Sequence, residues 1–594
     1  MAHRLTRYGA VTALLSWDTR RVVGNALDGH KAARMGTGAA RRALVIAVAA
    51  LALFAGLGSV PLWEPDEARF AEATRQMLVS GDWLTPWYHG QPRFEKPILI
   101  YWLQLPFHAL LGSTELATRL PIALSAAGCL IVTYLIGVRL IGRQAAWLGT
   151  MALATSFRFV THGRIGLTDM PALFFQVLAV YGFLRNHQEV STRGPWITAW
   201  AATGLAAMTK GPVAVLPVVV WITSLVLLRD WSGWRRMRVL PGALVAATVA
   251  APWYLYMVAV HGRAFLDVAV ASEVVSRVGG SVGPRRGLLY YFEVWPVDLM
   301  PWTPFFLAAL GFFTLGRSRT EVGVRQSALV LVLWFAVVVG LFSLSSSKVP
   351  NYILPAYPAA ALLVGLFVDR AVKDATARHL WWVGASLVTV VLAAAAGMAA
   401  VFLRRTADAS MPLPEFVLPL ILAAGGVAII TTGRRLGPVA ASASLAVTLA
   451  VAVSFASLVT IPSLGGLEPV PKLGRTLATM AEPGDRIGQY GVVSAGLVFY
   501  SRHDVVPLLT LDDAARFLAA PGRAFCVIPR VDARAIAAMA PGTVHEIAEQ
   551  PRVVIRLDRL LSNAGLYEEP LALVSNRPEA SDRRGYSSFG TVGR

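Results

Sequence analysis

Apolar runs of bilayer-crossing length recur along this chain, lying roughly at 43 to 62, 120 to 138, 145 to 161, 170 to 185, 195 to 209, 211 to 228, 239 to 260, 299 to 315, 327 to 344, 352 to 368, 380 to 403, 416 to 433 and 436 to 461. A helix needs about 20 predominantly apolar residues to cross the hydrocarbon layer. Within that layer only helices and closed barrels satisfy every backbone N–H and C=O group. The pattern therefore predicts a polytopic all-α membrane protein of about 13 transmembrane helices. The third run is the weakest, because Arg158 interrupts it. Charged residues make up only 15% of the chain, against roughly 25% in an ordinary soluble domain, which excludes a soluble globular enzyme. Cys129 lies in an apolar run and Cys526 near the C-terminus, so neither a disulfide framework nor a metal knuckle is in view.

The net charge of +19 is distributed unevenly. With the N-terminus inside, the cytoplasmic connections carry Arg139 and Arg143; Arg185 and Arg193; Arg229, Arg235, Arg236 and Arg238; Arg317, Arg319 and Arg325; Arg370, Lys373 and Arg378; and Arg434 and Arg435. The short outer connections carry only Arg164, Lys210, Lys348, Arg404 and Arg405. Basic residues concentrate in cytoplasmic loops, so residues 1–42 are expected to form a basic cytoplasmic tail and 43–461 the membrane domain, with long outer loops at 63–119 and 261–298. An odd number of spans then places the remainder outside. Within 462–575, short apolar runs such as Ala524 to Ile528 and Val553 to Leu557 alternate with helix-like stretches such as Asp512 to Ala520, predicting a small extracytoplasmic α/β domain. Residues 576–594 are polar and expected to be disordered.

Chemistry-bearing residues gather at the outer ends of the spans. The first outer loop opens Glu64-Pro65-Asp66-Glu67-Ala68-Arg69, a helix start with two carboxylates and a guanidinium suited either to acid/base and anion-binding work or to a solvated interfacial turn. Further on, Glu95-Lys96-Pro97 precedes an uncharged run from Ile98 to Gly112 that is too short to span. A helix N-terminus there would favour a phosphate with Lys96 as countercharge, the alternative being a lysine that snorkels to headgroups. Asp169 falls in the first turn of a lipid-embedded helix, where an ionised carboxylate requires a partner or a task beyond capping. Lys210 sits in a tight outer turn, and Lys348 with Tyr352 at the outer end of the tenth run.

In order, Pro65-Asp66-Glu67-Ala68-Arg69, Gly81-Asp82-Trp83, Phe94-Glu95-Lys96-Pro97, Thr168-Asp169-Met170-Pro171, Met208-Thr209-Lys210-Gly211 and Lys348-Val349-Pro350-Asn351-Tyr352 resemble the motifs of GT-C glycosyltransferases of the aminoarabinose transferase and protein O-mannosyltransferase type, over about 60 to 360. Ala68 departs from the Asp-Glu-Thr-Arg wording of the lipid A enzymes. The resemblance implies transfer of a sugar from a polyprenyl-phosphate carrier to a lipid A-like glycolipid, an envelope glycan or a protein at the outer face of the cytoplasmic membrane. It implies that Lys96, Arg69, Lys210, Arg164, Lys348 and Tyr352 hold the donor phosphate. Asp66, with Asp169 as the other candidate and Glu67 beside it, would serve as the catalytic acids. Glu95 becomes a candidate ligand for a divalent metal, with His261 its nearest candidate partner. A protein O-mannosyltransferase is the nearest alternative. A transporter or lipid flippase is the rival from another class, but it would place its ionisable groups near mid-membrane on broken helices.

Overall fold

The computed structural model describes residues 35–189, 194–276, 284–315, 321–406, 416–464, 469–492, 494–539, 542–553 and 567–578. Most of the basic tail (1–34), Arg193, Arg277, Arg317, Arg319, the 554–557 part of one expected strand and the end of the polar tail (579–594) lie outside the described residues. The chain divides into two compact units, Met1–Val60 with Ala73–Ile461, and Pro61–Glu72 with Pro462–Arg594.

The first unit is helical and multi-pass. Among the described residues eight helices are long and apolar enough to cross a membrane, and nine if Tyr290–Asp298 and Thr303–Leu315, bent by 118°, form one broken span. The expected 13 runs do not map onto 13 such helices, for local reasons. The run at 145 to 161 is split into Arg143–Ala154 and Phe157–Gly163, separated by an extended Ser156. The Asp169–Gln188 helix carries Asp169, Arg185 and His187 at its ends. The runs at 195 to 209 and 211 to 228 join through a short 3-10 turn, Gly211–Val215, into one apolar stretch.

Helices in lipid gain little from hydrophobic association, so close packing of small residues holds them together. Arg143–Ala154 crosses Tyr357–Lys373 at Gly149 and Gly365, where a Cβ on Gly365 would lie 2.2 Å from the Ala145 carbonyl oxygen and 2.4 Å from the Gly149 nitrogen. Gly182, on the Asp169–Gln188 helix, meets Ala199 of Gly194–Lys210 in the same way, its added Cβ falling 2.7 Å from the Ala199 nitrogen. The second contact joins the two helices that carry Asp169 and Lys210.

The second unit contains a five-stranded sheet. Strands β1 (Trp87–Tyr88) and β2 (Gln91–Pro92) form a small hairpin of the first unit, whereas β3 (Arg486–Tyr490), β4 (Val505–Leu508), β5 (Ala524–Pro529), β6 (His545–Val553) and β7 (Tyr567–Ser575) pair in the order β4-β3-β5-β7-β6. The β4-β3-β5 portion is parallel and the β5-β7-β6 portion antiparallel. Side chains alternate along β5. Phe525 and Val527 pack with Leu473, Leu477, Leu497 and Val498 on one face, while Cys526 and Ile528 pack with Ala514, Leu518, Ala533 and Ile536 on the other. Both faces are thus covered by helices, the expected small α/β arrangement.

Gly365→Ala is expected to destabilise the helical unit, since forcing a methylene into a filled contact costs about 1–3 kcal/mol and occasionally more. Gly397→Ala, at a position with nothing within 4 Å of the added Cβ, should be tolerated. Thermal unfolding of the purified protein in detergent checks both, and equal melting temperatures would contradict the packing account.

Candidate active site

The most enclosed polar cluster of the expected site forms around Asp169. This residue opens the Asp169–Gln188 helix and is 6% exposed. Its Oδ1 accepts from Lys210 Nζ at 2.6 Å and from Asn351 Nδ2 at 2.6 Å. Lys210 is the last residue of the Gly194–Lys210 helix, and Asn351 belongs to a 3-10 turn, Pro350–Ala356, kept out of the regular α-helix by prolines at 350 and 355. The ammonium of Lys210 also lies 5.5 Å from the centre of the Tyr352 ring, where the face of an aromatic ring attracts a cation. Three of the expected residues, Asp169, Lys210 and Tyr352, are therefore brought together with Asn351. Further along the same helix, Leu173, Gln176 and Val177 line a small, mainly apolar recess of about 10 Å³ with Leu216, Trp334, Val338 and Pro355.

A second cluster belongs to the two long loops. After Gly81, Asp82 accepts from the backbone nitrogens of Leu84 and Thr85, each at 3.1 Å, and from Trp87 Nε1 at 3.0 Å. Burial alone would raise its pKa, but these hydrogen bonds outweigh it and hold the carboxyl below its ordinary value. The β1–β2 hairpin then turns at His89 and Gly90, both with positive φ, the geometry that suits tightly twisted two-residue hairpins. The returning strand delivers Arg93, Phe94, Glu95 and Lys96. Lys96 Nζ pairs with Glu273 Oε2 and donates to the Glu95 carbonyl at 3.1 Å. Lys96 thus ties the first long loop to the second.

The pair expected for a metal is engaged elsewhere. Glu95 Oε2 lies 3.3 Å from Arg93 Nε, and the His261 ring shares a hydrogen bond of 3.0 Å with Thr85 Oγ1 and packs on Phe94. No three His, Cys, Asp or Glu side chains gather around a possible metal position among the described residues. Among the described residues the donor set therefore does not make up a metal site.

Two cations of the expected phosphate set meet backbone carbonyls instead. Arg164 donates to the carbonyls of Ala52 at 3.0 Å and Ala55 at 2.7 Å, closing the C-terminal end of the Met35–Phe54 helix, where the dipole favours positive charge. Lys348, buried at 3% exposure, donates to the carbonyls of Ser345 and Arg286.

Asp66, Glu67 and Arg69 belong to the second unit. Asp66 is the first residue of the Asp66–Ser80 helix. Its side chain is 62% exposed, with Arg69 Nη1 3.8 Å from Oδ1. Glu67 is fully buried and its Oε2 accepts from the Trp63 backbone nitrogen at 2.6 Å. Of the two adjacent acids, one closes the helix start and the other faces outward.

Sequence reasoning passed over a third buried cluster. Arg158, seen only as an interruption of an apolar run, donates to Asp298 Oδ1 from Nε at 2.9 Å and from Nη2 at 2.6 Å, and Tyr357 donates to Asp298 Oδ2. The signal was present, because a charge inside a span requires a buried counterpart.

With this geometry in place, the chain compares with known proteins as follows. Residues 41–263 match the family model of dolichyl-phosphate-mannose-protein mannosyltransferases. An uncharacterized protein of Aquifex aeolicus is 30% identical over 386 residues, covering 64% of this chain and 73% of that one. An undecaprenyl phosphate-alpha-4-amino-4-deoxy-L-arabinose arabinosyl transferase of Pseudomonas fluorescens is 29% identical, over 58% of this chain and 60% of its own length. ArnT from Cupriavidus metallidurans, solved bound to undecaprenyl phosphate, superposes with a TM-score of 0.73 at 23% identity, covering 90% of this chain and 98% of that one. The class is thus a multi-pass membrane protein with the ArnT fold. The chain belongs to the GT-C glycosyltransferases of the aminoarabinose transferase and protein O-mannosyltransferase type.

Removing one member of a buried ion pair leaves the other uncompensated, at a cost of about 3–5 kcal/mol. Arg158→Leu is therefore expected to lower the melting temperature in detergent strongly, and the double variant Arg158→Leu/Asp298→Leu should recover much of the loss. Equal melting temperatures for parent and Arg158→Leu would show that the pair contributes nothing to stability.

Proposed function

We propose that this protein transfers a sugar from a polyprenyl-phosphate carrier to an acceptor at the outer face of the cytoplasmic membrane. The observation that carries the proposal is the enclosed Asp169–Lys210–Asn351 cluster at the end of two helices of the apolar unit. Such a site offers a cation at the end of an apolar helical bundle, where a phosphate carried on a lipid can meet it. The relatives act in the same sense by name: one set is named for moving 4-amino-4-deoxy-L-arabinose from undecaprenyl phosphate, and the matching family for moving mannose from dolichyl phosphate to protein.

Each group has a task in this reading. Lys96 and Lys210 hold the phosphate and stabilise its charge as the bond from C1 to the phosphate oxygen breaks, which is where preorganised donors act most strongly. Asp169, held at Oδ1, keeps Lys210 in place and presents its other oxygen to the sugar. Asp66 is the exposed carboxylate able to take the proton of an acceptor hydroxyl as its oxygen forms the new bond to C1 from the opposite face, inverting the anomeric centre. Where the acceptor is itself an ionised phosphate, as on lipid A, no proton needs to move and Asp66 instead orients the donor. The favoured donor is an undecaprenyl-phosphate-linked pentose. A protein acceptor with a mannosyl donor is the second reading, favoured by the family match over 41–263. Arg164 and Lys348 are left out of the phosphate set because their donors meet carbonyls.

The test is transfer by the purified protein from undecaprenyl-phosphate-linked 4-amino-4-deoxy-L-arabinose or mannose, each offered lipid A and envelope protein. Labelled product from one combination supports the reading, and none from any overturns it. Lys96→Ala should raise the donor KM at least tenfold, and Lys96→Arg should recover only part, since a guanidinium fork replaces a point charge. A base contributes about 10² to 10⁴ in rate, so with a hydroxyl acceptor Asp66→Asn should lose that much kcat while inserting normally.

The outward placement of residues 462–594 and both long loops is part of the same proposal and rests on the arginine distribution. Reporter fusions at positions 480 and 232 should report opposite compartments, and matching signals would overturn the map.

A further inference from the structure

The C-terminal unit has a task that the transfer reading leaves unassigned. We propose that Glu64 is a positioning residue for the transfer step, through which this unit fixes the backbone that presents Asp66. The inference rests on the reading of Asp66 as the reacting carboxylate.

Glu64 has no surface role of the kind its place two residues before the Asp66–Ser80 helix suggests. Its Oε1 accepts from Ser494 Oγ at 2.6 Å and from the Gly496 nitrogen at 2.6 Å, and its Oε2 accepts from the Ala495 nitrogen at 3.1 Å. The fit requires glycine at 496, since an added Cβ would lie 2.4 Å from Glu64 Oε1. The receiving loop is itself held, because Ser494 nitrogen donates to Gln489 Oε1 at 3.1 Å and Ser494 Oγ accepts from Leu497 nitrogen at 3.2 Å.

The neighbours of Glu64 are pinned as well. Leu62 nitrogen donates to the Tyr500 hydroxyl at 2.8 Å, and Trp63 nitrogen to Glu67 Oε2 at 2.6 Å. Pro65 has no N–H to satisfy, and its carbonyl accepts from Arg69 nitrogen at 3.3 Å. Every residue from 62 to 65 is therefore tied down immediately before Asp66, whose own side chain is left outward.

The place of this contact in the sheet is informative. The loop leaves the carboxyl end of β3, which is flanked by β4 and β5. The connection to β4 packs its helix on one face of the sheet, and the connection to β5 packs its helix on the other. Open α/β sheets bind their ligands at such a point. Here the carboxylate of Glu64 fills that position, so the unit holds the chain's own first outer loop where related architectures hold a separate ligand.

A misplacement of about 1 Å in a reacting group costs up to about 10² in rate, so Glu64→Ala and Gly496→Ala are each expected to lower kcat about 10- to 100-fold with a much smaller change in donor KM. Glu64→Gln keeps an acceptor for Ser494 and Gly496 but turns an amide N–H₂ toward the Ala495 N–H, so it should fall between parent and Glu64→Ala. Adding Gly496→Ala to Glu64→Ala should cost nothing more. Hydrogen–deuterium exchange on the full-length protein should show faster exchange over residues 62–70 in both single variants, a readout that needs no substrate. Transfer is measured from undecaprenyl-phosphate-linked 4-amino-4-deoxy-L-arabinose and mannose as above. Unchanged exchange over 62–70 in both variants overturns the clamp. Parental kcat in Glu64→Ala and Gly496→Ala, with Asp66→Asn inactive, overturns the positioning role alone. Near-parental transfer by Asp66→Asn overturns the role of Asp66 and this role with it.

Discussion

Burying an ionised carboxylate in a helical membrane unit is costly, and Asp169 shows how that cost organises the first unit. The residue meets Lys210 and Asn351 through a single oxygen. The three residues of the arrangement come from the start of one helix, the end of another and a proline-shaped turn, so satisfying one charge fixes three segments. Such pairs contribute little net stability compared with an apolar replacement, but breaking one is expensive. The close Gly182–Ala199 contact is the companion requirement, because the helices bearing Asp169 and Lys210 must approach closely for the pair to form. The Arg158–Asp298–Tyr357 cluster repeats the principle with a guanidinium that makes two bonds to one carboxylate oxygen.

What the sequence reveals and hides follows the same physics. Long apolar runs and the alternation of strands and helices after 462 are legible because burial imposes them residue by residue. The number of spans is harder to read, because an extended serine, a 3-10 turn and a bent helix pair interrupt runs that hydropathy alone treats as uniform. The polar residues divide by partner. Asp169 and Lys210 were recognisable separately, and their pairing could be anticipated from the cost of leaving either alone. Asn351 stood in a motif but carried no charge to mark it. Arg164 and Lys348 carry the same charge as Lys96, yet they close the ends of backbone segments whose carbonyls lack partners, and composition does not distinguish a cation facing a carbonyl from one facing an anion. Glu64 and Glu67 were hidden for the opposite reason: both sit in a helix start that explains an acid without any tertiary contact.

The cations also differ in what a ligand would have to displace. Lys210 faces an aromatic ring and the Asp169 carboxylate within one enclosed cluster, so an anion arriving there shares the ammonium with Asp169. Lys96 instead joins the two long loops through Glu273. A phosphate drawing on the same ammonium competes with that carboxylate, because two anions brought to one cation repel each other. Engagement of a phosphate at Lys96 is therefore coupled to the hold that the second loop exerts on the first, and engagement at Lys210 to the pairing of two helix ends through Asp169. The difference arises from the partner each lysine has in the fold rather than from the lysine itself, which is why two residues of identical type at the same kind of position have different mechanical consequences.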